Sequence, residues 1–427
     1  MTSPSPASPP GLKRGLGLGL LTLYGIGVMV GAGIYVLVGA VAGAAGTYAP
    51  LAFLLAGLIA APTAATYAEL SSRIPESGGE AAYLREAFGI RWLGRLAGLA
   101  IIGGATISGA AVLQGGVGYL QHLVPLPDVA LIVGLGLLLA LAAIAGVVES
   151  LALAAFLTLV EAGGLLAVIA AGALAPAIGD PVAALDAAFA GWLADAFAAH
   201  AAGGGAAAPL AQGGLAGIGA GALLAFFAFI GFEDMVNMAE ETKDPERTMP
   251  RAILLALGVV TLLYAGVSWA ALRAVEASAL AASDRPLALV MEAGLPQGTG
   301  ALALIAFAAA LNGVLAQMVM CARMLFGLGR DGRLFAVFHH AHPRFGTPVL
   351  ATAAAAAVMI GVALGVPLLQ LAATSATILL FAFCAVNFAL IRLKRRDPRP
   401  AGAFVTPMWV PYMGLVTAVA ALAMGWI

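Results

Sequence analysis

Two stretches of this sequence place glycine and a change of residue character inside long apolar runs: GIGVMVGAGI at 25–34 and FFAFIGFEDM at 226–235. A helix interrupted there would end one half with unpaired carbonyls and start the next with unpaired N–H groups. The N–H end carries the positive pole of the helix dipole and suits a carboxylate. The carbonyl end suits an ammonium or a cation. An α-amino acid presents both charges close together, so two opposed breaks would hold its backbone with main-chain atoms alone. On this reading the N–H groups of Gly31, Ala32 and Gly33 take the carboxylate, and carbonyls near Met29, Phe227, Ala228 and Ile230 take the ammonium. The missing side chains at Gly31 and Gly33 let a ligand approach the backbone. Gly27 and Gly31 also form a GxxxG, which in spanning helices usually marks packing. The second break, at a related position, favours binding.

The elements that must carry these breaks follow from composition. The chain is 427 residues long, 62% hydrophobic and only 10% charged, too apolar for its surface to face water alone. A net charge of −1 points to no nucleic acid or other polyionic partner. With about 20 apolar residues needed per bilayer span, eleven spans are expected. They fall near 16–44, 49–70, 93–120, 128–148, 150–175, 213–240, 251–273, 299–328, 348–364, 366–391 and 405–425. A tight turn around Glu149 separates the fourth from the fifth, and a short surface helix is expected near 181–199. With a cytoplasmic N-terminus and alternating spans, 18 of the 20 Lys and Arg fall inside or near the inner face, leaving Arg273 and Arg285 outside. The expected location is the cell (inner) membrane.

The two interrupted spans lie five apart and run in opposite directions, the pattern of an inverted repeat. The expected fold is an all-α membrane protein with a 5+5 repeat and discontinuous first and sixth spans. Residues 1–12 form a disordered cytoplasmic tail, 13–175 the first repeat and 176–212 an extracytoplasmic loop. Residues 213–392 form the second repeat, and 393–427 a cytoplasmic loop with the eleventh span.

GIGVMVGAGIY, YAELSSRIPESGGEAAYLREAFG (67–89), FFAFIGFEDMVNMAEETKDPERTMPRAI (226–253) and NGVLAQMVMCARMLFGLGRDGRLFAVFHHAHPRFGTPV (312–349) resemble the amino acid–polyamine–organocation permease family. The resemblance runs in order from about residue 15 to 400. It implies a secondary transporter with five-plus-five repeats and a substrate site at the two breaks. It further implies that Phe232 gates the substrate and that Glu233 senses protonation. Members usually have twelve spans; eleven are counted here, and the difference falls outside the repeat. Many proton-coupled relatives carry a lysine where this chain has Glu161. An ionisable group at bilayer depth is costly and usually functional, so Glu161 is expected to load and release a proton. Its charged form could instead attract Na⁺, but residues 314–323 of the eighth span contain no Ser or Thr to complete such a site, which favours H⁺.

Thr106, Ser108, Gln317 and Thr374 are the polar residues available to read a substrate side chain. The positions around them are mainly apolar, which favours neutral substrates. His339, His340 and His342 lack further ligands nearby and read as loop polarity. The charges from Glu240 to Arg251 read as a solvated network at the inner end of the sixth span. No Walker motif, cofactor-binding pattern or nucleophile–base pair stands out, so neither ATP hydrolysis nor an intramembrane enzyme is expected. The leading reading is H⁺-coupled amino acid transport by alternating access. Uncoupled exchange of amino acids or polyamines, and ligand sensing without transport, are its competitors; the oligomeric state is left open.

Overall fold

A computed structural model describes residues 15–76, 79–121, 124–145, 151–178, 215–331, 335–342 and 346–425. The helices are α1 (Leu18–Ala45), α2 (Ala49–Arg73), α3 (Gly79–Phe88), α4 (Arg91–Leu120), α5 (Asp128–Ile144), α6 (Leu151–Leu174) and α7 (Leu215–Phe227). After a 3-10 segment (Glu233–Glu241) come α8 (Pro245–Ala274), α9 (Ala277–Ala281), α10 (Pro286–Gly294), α11 (Thr299–Asp331), α12 (Val349–Gly365), α13 (Leu368–Arg396) and α14 (Trp409–Gly425). No strand longer than one isolated bridge occurs among the described residues. Six helical stretches are long and apolar enough to cross a membrane, and five shorter apolar helices accompany them. The expected spans coincide with α1, α2, α4–α6, α8 and α11–α14 apart from a few residues at their ends, while α7 covers only the first part of the expected sixth span. The expected tail, the turn at Glu149 and the surface helix near 181–199 lie outside the described residues.

Lipid leaves backbone groups no partner but the chain itself, so helices dominate. Small residues then let them approach: a Cβ at Gly172 would meet the Ala270 backbone at 2.5 Å, and one at Gly116 would meet Ala310 at the same distance. Polar side chains add specific ties. Asn387 on α13 donates to Thr63 Oγ1 (2.9 Å) and accepts from Thr66 Oγ1 (2.7 Å), joining α13 to α2. At the basic end of these helices Lys394 Nζ sits 2.6 Å from the buried Glu69 carboxylate, which also accepts from Arg73, the Thr406 N–H and the Thr406 hydroxyl. Every acceptor site of this buried charge is used, which is the condition for tolerating it.

Two helices are interrupted. In α1 the backbone leaves helical geometry at Gly31 (φ 20°, ψ −162°) and resumes it afterwards. The sixth span, drawn from sequence as 213–240 with a change at 226–235, is helical only to Phe227. There the ladder tightens to three-residue spacing, with Ala228, Phe229 and Ile230 N–H donating to the Ala225, Phe226 and Phe227 carbonyls. Gly231 then turns the chain at φ 128°, a conformation open to glycine, and the 3-10 segment follows.

A Cβ at Gly231 would also lie 2.8 Å from Val28 Cγ1 and 3.0 Å from the Val28 carbonyl carbon. Gly231→Ala is therefore expected to destabilise by about 1–3 kcal/mol, from the forced backbone geometry. Gly103→Ala, inside α4 with nothing within 4 Å of the new methyl, should be neutral or slightly stabilising. Thermal unfolding of the detergent-purified variants checks both; equal melting temperatures would show that the turn is not constrained.

Candidate functional site

The two breaks touch. A Cβ at Gly33 would stand 3.5 Å from Ala228 Cα, and Gly231 abuts the Val28–Met29 backbone. One side chain from a third helix joins them: the Tyr264 hydroxyl of α8 lies 2.7 Å from the Met29 carbonyl and 2.9 Å from the Ala228 carbonyl. Both are carbonyls that the sequence assigns to an ammonium. Each retains a second lone pair, and the hydroxyl occupies the position between them. Phe227 O accepts the Ile230 N–H at 3.2 Å.

On the other side of the α1 break there is room. Gly31 is buried, yet a Cβ added there would meet no atom within 4 Å. Gly313 of α11 closes the far side, its added Cβ standing 3.7 Å from Gly31 Cα and 3.4 Å from Val112 of α4. α11 therefore packs directly on the α1 break through Gly313, and only the position that a Gly31 side chain would take is unfilled. The backbone at Ala32 is helical, so the half-helix beginning there directs its first N–H groups back at the break.

Glu161 of α6 is fully buried and lies near the same crossing. Its Oε1 accepts from Asn312 Nδ2 of α11 at 3.1 Å, while its Oε2 has no hydrogen-bond partner. None of the ion pairs among the described residues involves it. Tyr35 of α1 donates to the Glu161 backbone carbonyl at 3.3 Å, fixing α1 against α6 at this level.

Phe232 is wholly buried and forms a ring cluster with Tyr67 of α2 (5.8 Å) and Phe383 of α13 (5.2 Å). Glu233 turns back, its Oε2 accepting the Gly231 N–H at 2.9 Å and so steadying the turn. Beneath them Glu80 of α3, outside the spanning helices, accepts from the Tyr67 hydroxyl at 2.9 Å and leaves its second oxygen unpaired. Burial pushes the Glu80 carboxyl up from 4.5 to about 7, against the lowering effect of its hydrogen bonds.

Of the other polar candidates, Ser108 and Gln317 pair across α4 and α11 at 3.1 Å, and Thr106 meets Cys321 at 3.5 Å. Thr374 is exposed on α13 and does not join them. His339 packs its ring on Phe326 at 4.4 Å. In the expected charge network, Glu241 pairs with Arg323 at 3.9 Å. The Glu241 carbonyl also accepts the Gly15 and Leu16 N–H groups at 2.9 and 3.0 Å, binding the start of α1 to the end of the 3-10 segment.

Sequence reasoning missed Tyr264, Asn312 and Glu80. Each left a signal: a lone phenol within TLLYAG, a lone amide within the apolar run before GVLAQ, and a carboxylate directly after Gly78-Gly79.

These features define a polytopic α-helical membrane protein with two interrupted helices crossing beside a buried carboxyl. The chain belongs to the amino acid permease family, whose model matches residues 16–427. It is 30% identical to the methylthioribose transporter of Bacillus subtilis over 93% of this chain and 85% of that one. It is 29% identical to the branched-chain amino acid permease BcaP of the same organism, over 93% and 84%. A solved structure of a Na⁺-coupled sialic acid symporter shares the fold with a TM-score of 0.54 at 14% identity, covering 94% of this chain and 89% of that one.

Tyr264→Phe should remove the one hydroxyl proton shared between the Met29 and Ala228 carbonyls and lower stability by about 1–3 kcal/mol. Thermal unfolding measures it; an unchanged melting temperature would mean that the hydroxyl does not join the breaks. For Glu80, the folded value lies above the unfolded one. The stability tied to its neutral form is thus complete below about 4.5 and is lost as pH rises through about 7. Melting curves across that window should fall more steeply for the wild type than for Glu80→Gln, and parallel curves would refute the assignment.

Proposed function

We propose that the chain is a secondary transporter that carries amino acids by alternating access and couples the movement to H⁺. The observation that carries this reading is the contact of two helix breaks, with the side-chain position of Gly31 unfilled between them. The substrate carboxylate is held by the N–H groups of Gly31, Ala32 and Gly33. Its ammonium is held by the free lone pairs of Met29 and Ala228 and by the carbonyls of Phe227 and Ile230. The Tyr264 hydroxyl stands between these two carbonyls, so it rotates aside as the ammonium takes their second lone pairs. Phe232, at the lip of the break that follows α7, acts as a gate, and Glu233 reports protonation to the turn it steadies. The inverted repeat of 13–175 against 213–392 supplies the symmetry of the two breaks. Apolar neighbours, Val112, Phe227 and Ile230 among them, support a neutral substrate side chain.

Glu161 is the proton carrier. A buried carboxyl with one amide donor and one idle oxygen has a place for a proton and no fixed cation to replace it. Release of that proton, with Asn312 as its remaining partner, would be linked to loss of substrate through the Tyr35 tie to α1.

Uptake of labelled branched-chain amino acids into proteoliposomes should rise with an inward H⁺ gradient. Glu161→Gln should retain substrate binding and counterflow but no longer respond to that gradient. Uptake by the variant that still follows ΔpH would remove Glu161 from the coupling, and counterflow that is absent in the wild type would remove transport itself.

A further inference from the structure

At the basic end of α13 lies a groove unrelated to the helix breaks. It has a volume of about 790 Å³ and is lined by Lys394, Arg395, Arg399, Val405, Thr406 and Met408, with the segment leading into α14 as its second wall. A smaller recess of about 240 Å³ adjoins it through Arg395 and adds Arg392, Arg396 and Phe388. We propose that this groove binds the headgroup and upper acyl chain of an anionic phospholipid.

Three observations support that occupant over others. The first is unbalanced charge. Elsewhere Arg85 pairs with Glu76, Arg73 with Glu69 and Arg323 with Glu241. Arg395, Arg396 and Arg399 take part in no ion pair among the described residues. The acid next to them, Asp397, accepts the Arg399 backbone N–H at 3.3 Å. Lys394 is neutralised by Glu69, and Arg392 is held by the Ala87 carbonyl and the Phe88 ring. Arg395 and Arg399 thus line the groove, with Arg396 in the adjoining recess, and their attraction for an anion is unspent.

The second observation is the wall. Val405, Met408, Trp409 and Phe388 expose apolar surface beside those charges, Trp409 to 62%. A free phosphate has no use for such surface, whereas a diacyl lipid covers it. The third is depth. Trp409 and Tyr412 begin α14 side by side, as aromatic residues do at a membrane–water boundary, and the Tyr412 hydroxyl accepts from Arg395 at 2.8 Å. The guanidinium groups therefore stand at headgroup level. The positive-inside reading of the sequence places that boundary in the cytoplasmic leaflet, where a basic cluster meets anionic lipid.

The groove also reaches the helix ends. Lys394 and Thr406 line it and at the same time hold Glu69 of α2. An anionic headgroup seated there adds to the packing that keeps α2, α13 and α14 together at that end.

The test uses the full chain in mixed micelles, with native mass spectrometry reading retained lipid. Phosphatidylglycerol should be kept in preference to phosphatidylcholine. Arg395→Gln/Arg399→Gln should weaken that preference about 30-fold, the loss expected of two such charges beside an anionic surface. Arg399→Gln alone, which leaves the Arg395–Tyr412 bond in place, should show a smaller loss in the same direction and guards against misfolding of the double variant. Lys243→Gln/Arg247→Gln, exposed basic residues elsewhere, should keep the wild-type preference. An equal loss in that control would reduce the effect to general surface charge and overturn the proposal. So would stabilisation of the wild type by inorganic phosphate that matches stabilisation by short-chain phosphatidylglycerol.

Discussion

Interrupting a helix at bilayer depth strands main-chain groups where no water can reach them, and a stranded group costs several kcal/mol. The fold around the α1 and α7 breaks is arranged to meet that demand while leaving part of it open. Tyr264 supplies one hydroxyl between the Met29 and Ala228 carbonyls, and Glu233 supplies a carboxylate to the Gly231 N–H. The three-residue turns of 228–230 close further bonds within the chain. The side-chain position of Gly31 receives no such partner, which leaves the crossing satisfied on one side and unfilled on the other.

The buried carboxyls of this protein fall into two kinds. Glu69 is saturated, with an ammonium, a guanidinium, a hydroxyl and an N–H around it. Such a charge is tolerated because every lone pair is used, and it acts as a joint between helices. Glu161 and Glu80 each keep one oxygen without a partner. The contrast is one of local chemistry and not of burial, since all three are hidden from solvent.

Much of this organisation was legible in the sequence, for a physical reason. Lipid forces helices of similar length and glycine marks where backbone must depart from them, so the eleven apolar runs and both breaks stand out locally. The partners of those breaks do not. Tyr264 sits in a run, TLLYAG, whose phenol could as well end at a membrane surface, and only the folded chain brings it to Met29, 235 positions away. Lys394 reads as one of several basic residues closing a span, yet it is buried on a carboxylate 325 positions earlier. Asn312 is a single amide in an apolar run, and only the folded chain sets it on Glu161, 151 positions away. Pairings across such distances leave no periodic trace.

The saturation of Glu69 has a mechanical corollary. Pulling α2 from α13 at that end would strip several donors from one hidden carboxylate at once, so those helix ends and the segment entering α14 behave as a single block. The start of α1 is likewise laced to the end of the 3-10 segment through Leu16, Glu241 and Lys243. The two blocks meet where the Tyr67, Phe232 and Phe383 rings pack and where the Ser72 hydroxyl donates to the Glu246 carbonyl at 2.8 Å, so that sliding one against the other would cost a single hydroxyl bond to the backbone there and leave the joint at Glu69 whole.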